Sequence, residues 1–201
     1  PEPQVTRAVS RTRDVPTPKE AIPTTRSEAA HKMANIRRAT VRDAEAIGLF
    51  QMRAWEQTYR GVVPDSFLDA RAAQPGTGRW AERIRGGSRR VFVAESASGR
   101  LLGVASTTHS SEARHGLPAL ELSTLYVDQG SHGTGLASNL LQAAISEDDA
   151  HLLVFSFNLR AQRFYAKHGF ERIGRRQLDP GTGLNEERWI RQLPEPDSPT
   201  R

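Results

Sequence analysis

Two short stretches hold most of the residues that could do chemistry. The first, Leu125-Tyr126-Val127-Asp128-Gln129-Gly130-Ser131-His132-Gly133-Thr134-Gly135-Leu136-Ala137, runs from an apolar strand end through small residues into a helical pattern. Main-chain N–H groups at a helix N-terminus have no partner within the helix, and the helix dipole adds positive potential there. An anion fits such a place, and Gly133 and Gly135 let the backbone come close to it. The same glycines equally suit a plain turn that needs only their freedom of φ. Two familiar phosphate loops do not match: no Lys follows either glycine as a P-loop requires, and Ser138 stands where a dinucleotide fingerprint has its third glycine. The second stretch, Asn158 to Phe170, places Ala161, Phe164, Tyr165 and His168 on one side of a helix. Arg160, Arg163 and Lys167 occupy the neighbouring side.

Other chemistries find no support. There are no cysteines, so disulfides, thiolate metal sites and an acyl-cysteine route are excluded. The six histidines show no paired metal-ligand spacing, and no metal is expected. Ser123 beside Thr124 lacks the glycines of a nucleophile elbow, which argues against an acyl-serine. The formal charge of +5 permits an anionic partner, but the 28 Lys and Arg are interspersed with 23 Asp and Glu and aromatics are few. That is not a nucleic-acid footprint, and no nucleic-acid partner is expected. No apolar run approaches the roughly 18 to 20 residues of a membrane span, so no membrane partner is expected, and a cytoplasmic location is.

The 201 residues suit one domain better than two. Eight of the twelve prolines lie outside 35–193, which leads us to expect a disordered extension over 1–34, a domain over 35–193 and a disordered tail over 194–201. Met33, just before the first patterned segment, marks where the domain could begin. Within the domain, Ile36 to Thr40 reads as a strand and Thr40-Val41-Arg42-Asp43 as a capping box with Asp as its acid. Helices follow to about Tyr59, over Asp65 to Ala73 and over Thr77 to Arg85. Strands are predicted at Arg90 to Glu95, Leu101 to Thr108 and Ala119 to Asp128, with an exposed polar loop over His109 to Pro118. Then come a helix from Leu136 to Glu147, a strand at Leu152 to Phe157, a helix from Leu159 to His168, and strands at Phe170 to Gln177 and Glu186 to Gln192. This order makes an α+β fold with a mixed, mostly antiparallel sheet of about seven strands and four to five flanking helices; its parallel step lies across the helix after Asp128.

His132-Gly133-Thr134-Gly135-Leu136-Ala137 is similar to a [QR]-x-x-G-x-[GA] loop. Asn158-Leu159-Arg160-Ala161-Gln162-Arg163-Phe164-Tyr165-Ala166-Lys167-His168-Gly169-Phe170 is similar to N-x-x-A-x-x-F-Y-x-x-x-G-F. In this order the pair resembles the GNAT superfamily of acetyl-coenzyme A dependent N-acetyltransferases, with weaker likeness from Ile36 to Gln192. The sequence departs at His132, where the family usually has Gln or Arg. The resemblance implies acetyl-CoA as co-substrate, lying in a splayed parallel pair of strands. Leu125, Tyr126 and Val127 would offer main-chain groups to the pantetheine arm, one of them to the thioester oxygen. His132, Gly133, Thr134, Gly135, Leu136 and Ala137 would take the pyrophosphate, and Asn158 would steady the pantetheine or the strand opening.

The same resemblance makes Tyr165 the acid that protonates the leaving thiolate, against the alternative of a core aromatic. Glu121 becomes the base that takes the amine's proton, against that of a solvent-facing strand residue. Glu56, Asp65 and Asp69 remain contributors to acceptor recognition or ordinary surface charges. The Trp55 to Phe67 segment could wall off a compact acceptor site with aromatic and acidic groups. The expected function is direct transfer of an acetyl group to the amine of a small molecule through a ternary complex. Acetylation of a protein amine and a non-catalytic acyl-CoA sensor are the alternatives, and a homodimer is possible.

Overall fold

The computed structural model describes residues 34–74 and 76–193. In chain order the elements are β1 (Asn35–Arg38), α1 (Ala44–Tyr59), α2 (Asp65–Ala73), α3 (Thr77–Arg85), β2 (Arg90–Glu95), β3 (Leu101–His109), β4 (Leu120–Val127), α4 (Leu136–Ile145), β5 (Ala150–Phe155), α5 (Leu159–Lys167), β6 (Glu171–Leu178) and β7 (Asn185–Arg191). Short 3-10 turns occupy Val41–Asp43, Ser111–His115 and Gln129–Ser131.

The strands form one sheet in the order β1-β2-β3-β4-β5-β7-β6, and every neighbouring pair is antiparallel except β4 and β5. Alternate side chains of the middle strands serve two layers. Val91, Val93 and Val104 face Ile47, Phe50 and Trp80 of α1 and α3. Ala94 and Ala105 face Leu136, Leu140, Leu141 and Ile145 of α4 on the other side. Each such buried leucine or isoleucine contributes roughly 2 kcal/mol, which is what holds α4 and its N-terminus against the sheet.

The predicted capping box is present. The Thr40 N–H donates to Asp43 Oδ2 at 2.6 Å, and the same carboxylate receives the Arg37 guanidinium at 2.7 and 2.9 Å. Arg37 also reaches Glu95, so one side chain ties β1 and β2 to the start of α1. This pairing pulls the Asp43 carboxyl down to about 2.

The sheet, its strand count, its parallel pair and the five helices agree with the sequence reading. The strand expected at Leu152 to Phe157 instead starts at Ala150 and ends at Phe155. His151, in the added part of the strand, is fully buried, and Arg188 Nη1 donates to its Nδ1 at 2.8 Å. The loop from His109 to Pro118 is not wholly exposed: it contains a 3-10 turn, and Leu117 is buried. The helix begun at Leu136 stops at Ile145, before Glu147. The expected tails at 1–34 and 194–201 lie outside the described residues, apart from Ala34. Among the described residues, no helix is long and apolar enough to cross a membrane.

Candidate active site

The site begins where two strands stop pairing. β4 and β5 are matched only at Leu120 with Ala150 and Glu121 with His151. Beyond that point β5 continues against β7 and β4 against β3, so a wedge opens between them. β4 also carries a bulge: Thr107 faces Leu122 and Ser106 faces Thr124, leaving Ser123 as the extra residue. The bulge changes the phase of the strand. Leu120 and Leu122 before it, and Leu125 and Val127 after it, all pack on the α4 layer, whereas Tyr126 packs on the α1 and α3 layer. Alternation in Leu-Glu-Leu-Ser-Thr-Leu-Tyr-Val slips by one at Ser123, and that slip was the signal in the sequence.

A cavity of about 960 Å³ runs through the wedge. Val127, Ala137 and Asn158 line it, and so do Trp55, Arg71 and Arg83 of the three early helices, with Tyr126 interacting with both Trp55 and Arg71. Leu125, His132, Glu121 and Tyr165 also line it, so the structure brings both expected catalytic residues to one space.

At its first end lies the N-terminus of α4. The first main-chain bond there is Asn139 N–H to Gly135 O at 3.1 Å, so the N–H groups of residues 136–138 precede the helix ladder. Gly133 and Gly135 hold φ of +81 and +87, and a Cβ at either would stand in open space. A phosphate group fits here, because the two positions combine a backbone twist that L side chains rarely adopt with open access to the main chain at the helix start. Thr134 shapes the turn from within: its hydroxyl donates to Ser131 O at 2.7 Å. Leu136 is buried in the core and its N–H donates to Thr134 Oγ1 at 3.4 Å, so the N–H groups of residues 137 and 138 are the ones left for a ligand. Burial, reinforced by Arg160, pushes the His132 imidazole below its usual range and keeps it neutral near pH 7. Ser138 Oγ and His168 Nε2 meet at 3.0 Å and tie α4 to α5.

Asn158 caps α5, accepting from the Ala161 N–H at 3.1 Å. On α5, Arg160, Arg163 and Lys167 are exposed while Ala161, Phe164, Tyr165 and His168 are half-buried, as the periodicity predicts. Tyr165 packs edge-on against Phe164 and Phe170 at centroid distances of 5.4 and 5.6 Å. Burial holds its phenol well above the ordinary tyrosine range. Tyr126 is pushed up to about 12 by the same cause, and Tyr59 is likewise raised.

Several residues at this site escaped the sequence reading. Glu186 of β7 lines the cavity, and burial, helped by Asp179, raises its carboxyl above the ordinary range. Local pattern could not reveal it, because β7 reaches the wedge only through its pairing of Glu186 with Phe155. The arginines of α2 and α3 were missed too, because their approach to the wedge depends on how those helices pack on the sheet. Of the two readings given for Glu56, Asp65 and Asp69, the structure favours ordinary surface charges: all three pair with Arg60 and none lines the cavity. The Trp55 to Phe67 segment does wall the site with aromatics, Trp55 and Tyr59 packing on Phe155, but its acids point to Arg60.

A family model for the acetyltransferase (GNAT) domain matches residues 56–184. An uncharacterized N-acetyltransferase of Mycobacterium tuberculosis is 36% identical over 129 residues, spanning 60% of this chain and 77% of that protein. The PaiA N-acetyltransferase of Thermoplasma acidophilum, solved in complex with coenzyme A, superposes with a TM-score of 0.60 at 18% identity, covering 77% of this chain and 97% of that one. A mutant of the spermidine N-acetyltransferase of Vibrio cholerae gives 0.53 at 17% identity, covering 79% and 93%. These two likenesses concern the fold. The family match and the curated relative define an acyltransferase. The chain belongs to the GNAT acetyltransferase family.

Proposed function

We propose that this protein transfers the acetyl group of acetyl-CoA directly to the primary amine of a small molecule, both substrates being bound at once. What carries this reading is the one cavity that is lined both by His132 and Ala137 at the start of α4 and by Trp55, Arg71 and Arg83 of α1 to α3. An acyl donor held in the wedge would lie between β4 and β5 like a missing strand, taking main-chain bonds from Leu125 and Val127.

The amine nitrogen attacks the thioester carbonyl, and the C–S bond breaks as the new C–N bond forms. A main-chain N–H near Tyr126 or Val127, on the stretch of β4 that has parted from β5, is the donor for charge developing on the carbonyl oxygen, a contribution of about 3 kcal/mol where such a donor is well aimed. Glu121 takes the amine's proton, with Glu186 as a second carboxylate in the same cavity. The raised affinity of Glu186 for protons suits a base working near neutral pH. Tyr165 gives its proton to the departing thiolate; a phenol whose ionisation is pushed upward by burial stays protonated until that moment.

Free thiol release from acetyl-CoA, followed across a panel of amines, tests the reading. Amine-dependent release with an N-acetylated product supports it. Binding of acetyl-CoA with no release from any amine would instead favour a sensor.

A further inference from the structure

The acceptor lobe carries a charge pattern that acetyl transfer itself does not require. Arg71 of α2, Arg79 and Arg83 of α3, and Arg89 just before β2 all line it. Arg79 and Arg83 stand four residues apart on one short helix, a like-charge spacing that costs helix stability. Among the described residues, none of the four is in a salt bridge. Asp179 acts on Arg71 and Glu121 on Arg89 only at longer range. Burial, together with the charge of one another, holds Arg71, Arg83 and Arg89 below the ordinary arginine range.

These side chains are also held in place. The Arg71 guanidinium lies 4.4 Å from the Trp55 ring, and those of Arg83 and Arg89 lie 5.3 and 6.0 Å from the ring of Trp80. Arg89 donates to the hydroxyls of Ser106 and Thr124 at 3.4 Å. Arg79 folds over Gly76, its Nη2 3.4 Å from where a Cβ would stand. The same cavity holds one buried polar atom, Ser123 Oγ, that has no hydrogen-bond partner among the described residues. Aligned guanidinium forks match carboxylate and phosphoryl oxygens. The phosphates of an acyl donor do not account for them. Trp80, beneath Arg83 and Arg89, belongs to the α1 and α3 layer, whereas the amide cradle begins α4 on the opposite face of the sheet.

We propose that the acceptor is a small amine that also bears an anionic group, a carboxylate or a phosphoryl, held by Arg71, Arg79, Arg83 and Arg89 while its amine faces the wedge. This rests on the acetyl-transfer reading. It sets the site apart from one for a polyamine, whose added positive charges the four guanidiniums repel.

Fluorescence of the full chain saturated with coenzyme A, titrated with citrate and with inorganic phosphate, tests the anion site without turnover, since Trp55 and Trp80 lie beside the arginines. Saturable change is expected, weakened tenfold or more in Arg79→Gln and Arg83→Gln, with Arg83→Lys retaining part of the affinity. No saturable change, or equal affinity in correctly folded Gln variants, overturns the inference. Thiol release with β-alanine against β-alaninamide, phosphoethanolamine against ethanolamine, and spermidine then identifies the anion. A kcat/KM at least tenfold higher for an anionic member supports the proposal, and the pair that responds tells carboxylate from phosphoryl. Equal rates for the neutral partners, fastest turnover of spermidine, or preference for an acidic peptide over every small anionic amine overturns it. Saturable anion binding with no thiol release from any amine overturns acetyl transfer while leaving the anion site standing.

Discussion

A Cβ on Gly103 of β3 would stand 2.6 Å from Cδ1 of Leu140 on α4 and 3.0 Å from Tyr126 O. The glycine therefore sets how closely α4 approaches the sheet, and with it the position of the amide cradle at the start of that helix. Gly103→Ala must push one of these groups aside. The expected loss is about 1 to 3 kcal/mol of stability, read by denaturant unfolding, together with weaker acetyl-CoA binding by calorimetry. Unchanged stability would remove Gly103 from this role.

The cradle can be tested apart from the core. Gly135 has φ of +87 with open space around it, so Gly135→Ala meets backbone strain of roughly 1 to 2 kcal/mol without a steric clash in the protein. We expect the fold to survive, and affinity for coenzyme A to fall tenfold or more because the turn relaxes and the amides rotate away. Calorimetry showing full affinity in a folded variant would place the phosphates elsewhere.

Tyr165→Phe removes a hydroxyl while preserving the ring contacts with Phe164 and Phe170. The expected result is a fall of roughly 100-fold in kcat with acetyl-CoA affinity unchanged, the range for loss of a general acid. An acetylation rate equal to that of the parent chain would assign Tyr165 to packing alone.

Three carboxylates line the cavity, Glu121, Asp179 and Glu186, and the pH profile tells whether Glu186 is the base. Burial raises the Glu186 carboxyl, so if it is the base, kcat/KM climbs as pH rises through a value above the ordinary carboxylate range. Glu186→Gln then abolishes that limb, whereas Glu121→Gln leaves it in place. The opposite assignment follows if Glu121→Gln alone removes the limb.

Stability at low pH reports on Asp43. Its carboxyl is held at about 2 in the folded chain against 3.8 for an ordinary aspartate, because Arg37 donates to the ionised form. A depressed carboxyl stabilises the fold fully above the unfolded value, and that contribution fades as pH falls through 3.8 toward 2. Arg37→Ala should cost about 1 kcal/mol at neutral pH, since the pair is partly screened by solvent, and should flatten the acid limb of the unfolding curve. An unaltered acid limb would dissociate the pair from stability.

Much of this architecture was legible because it is local. The Thr40 and Asp43 cap, the ends of α2 and α3 at Pro64 and Gly86, and the strand-loop-helix run through Gly135 each depend on residues a few positions apart. The two motif stretches carry His132, Ala137, Asn158 and Tyr165, all of which line one cavity. The start of β5 misled, since a buried His151 reads as polar until its distant partner Arg188 is known.

Amino-acid order by itself determined the succession of elements, the faces they bury and the family motifs, all of which follow from period, capping and turn chemistry acting over one or two turns of chain. Only tertiary structure decided that Glu186 reaches the wedge, that Arg60 takes Glu56, Asp65 and Asp69 out of the site, and that four arginines from α2, α3 and the approach to β2 converge on its far lobe. Those outcomes depend on which surfaces meet across the sheet, and meeting is set by packing between segments far apart in sequence, for which no local spacing carries a signal.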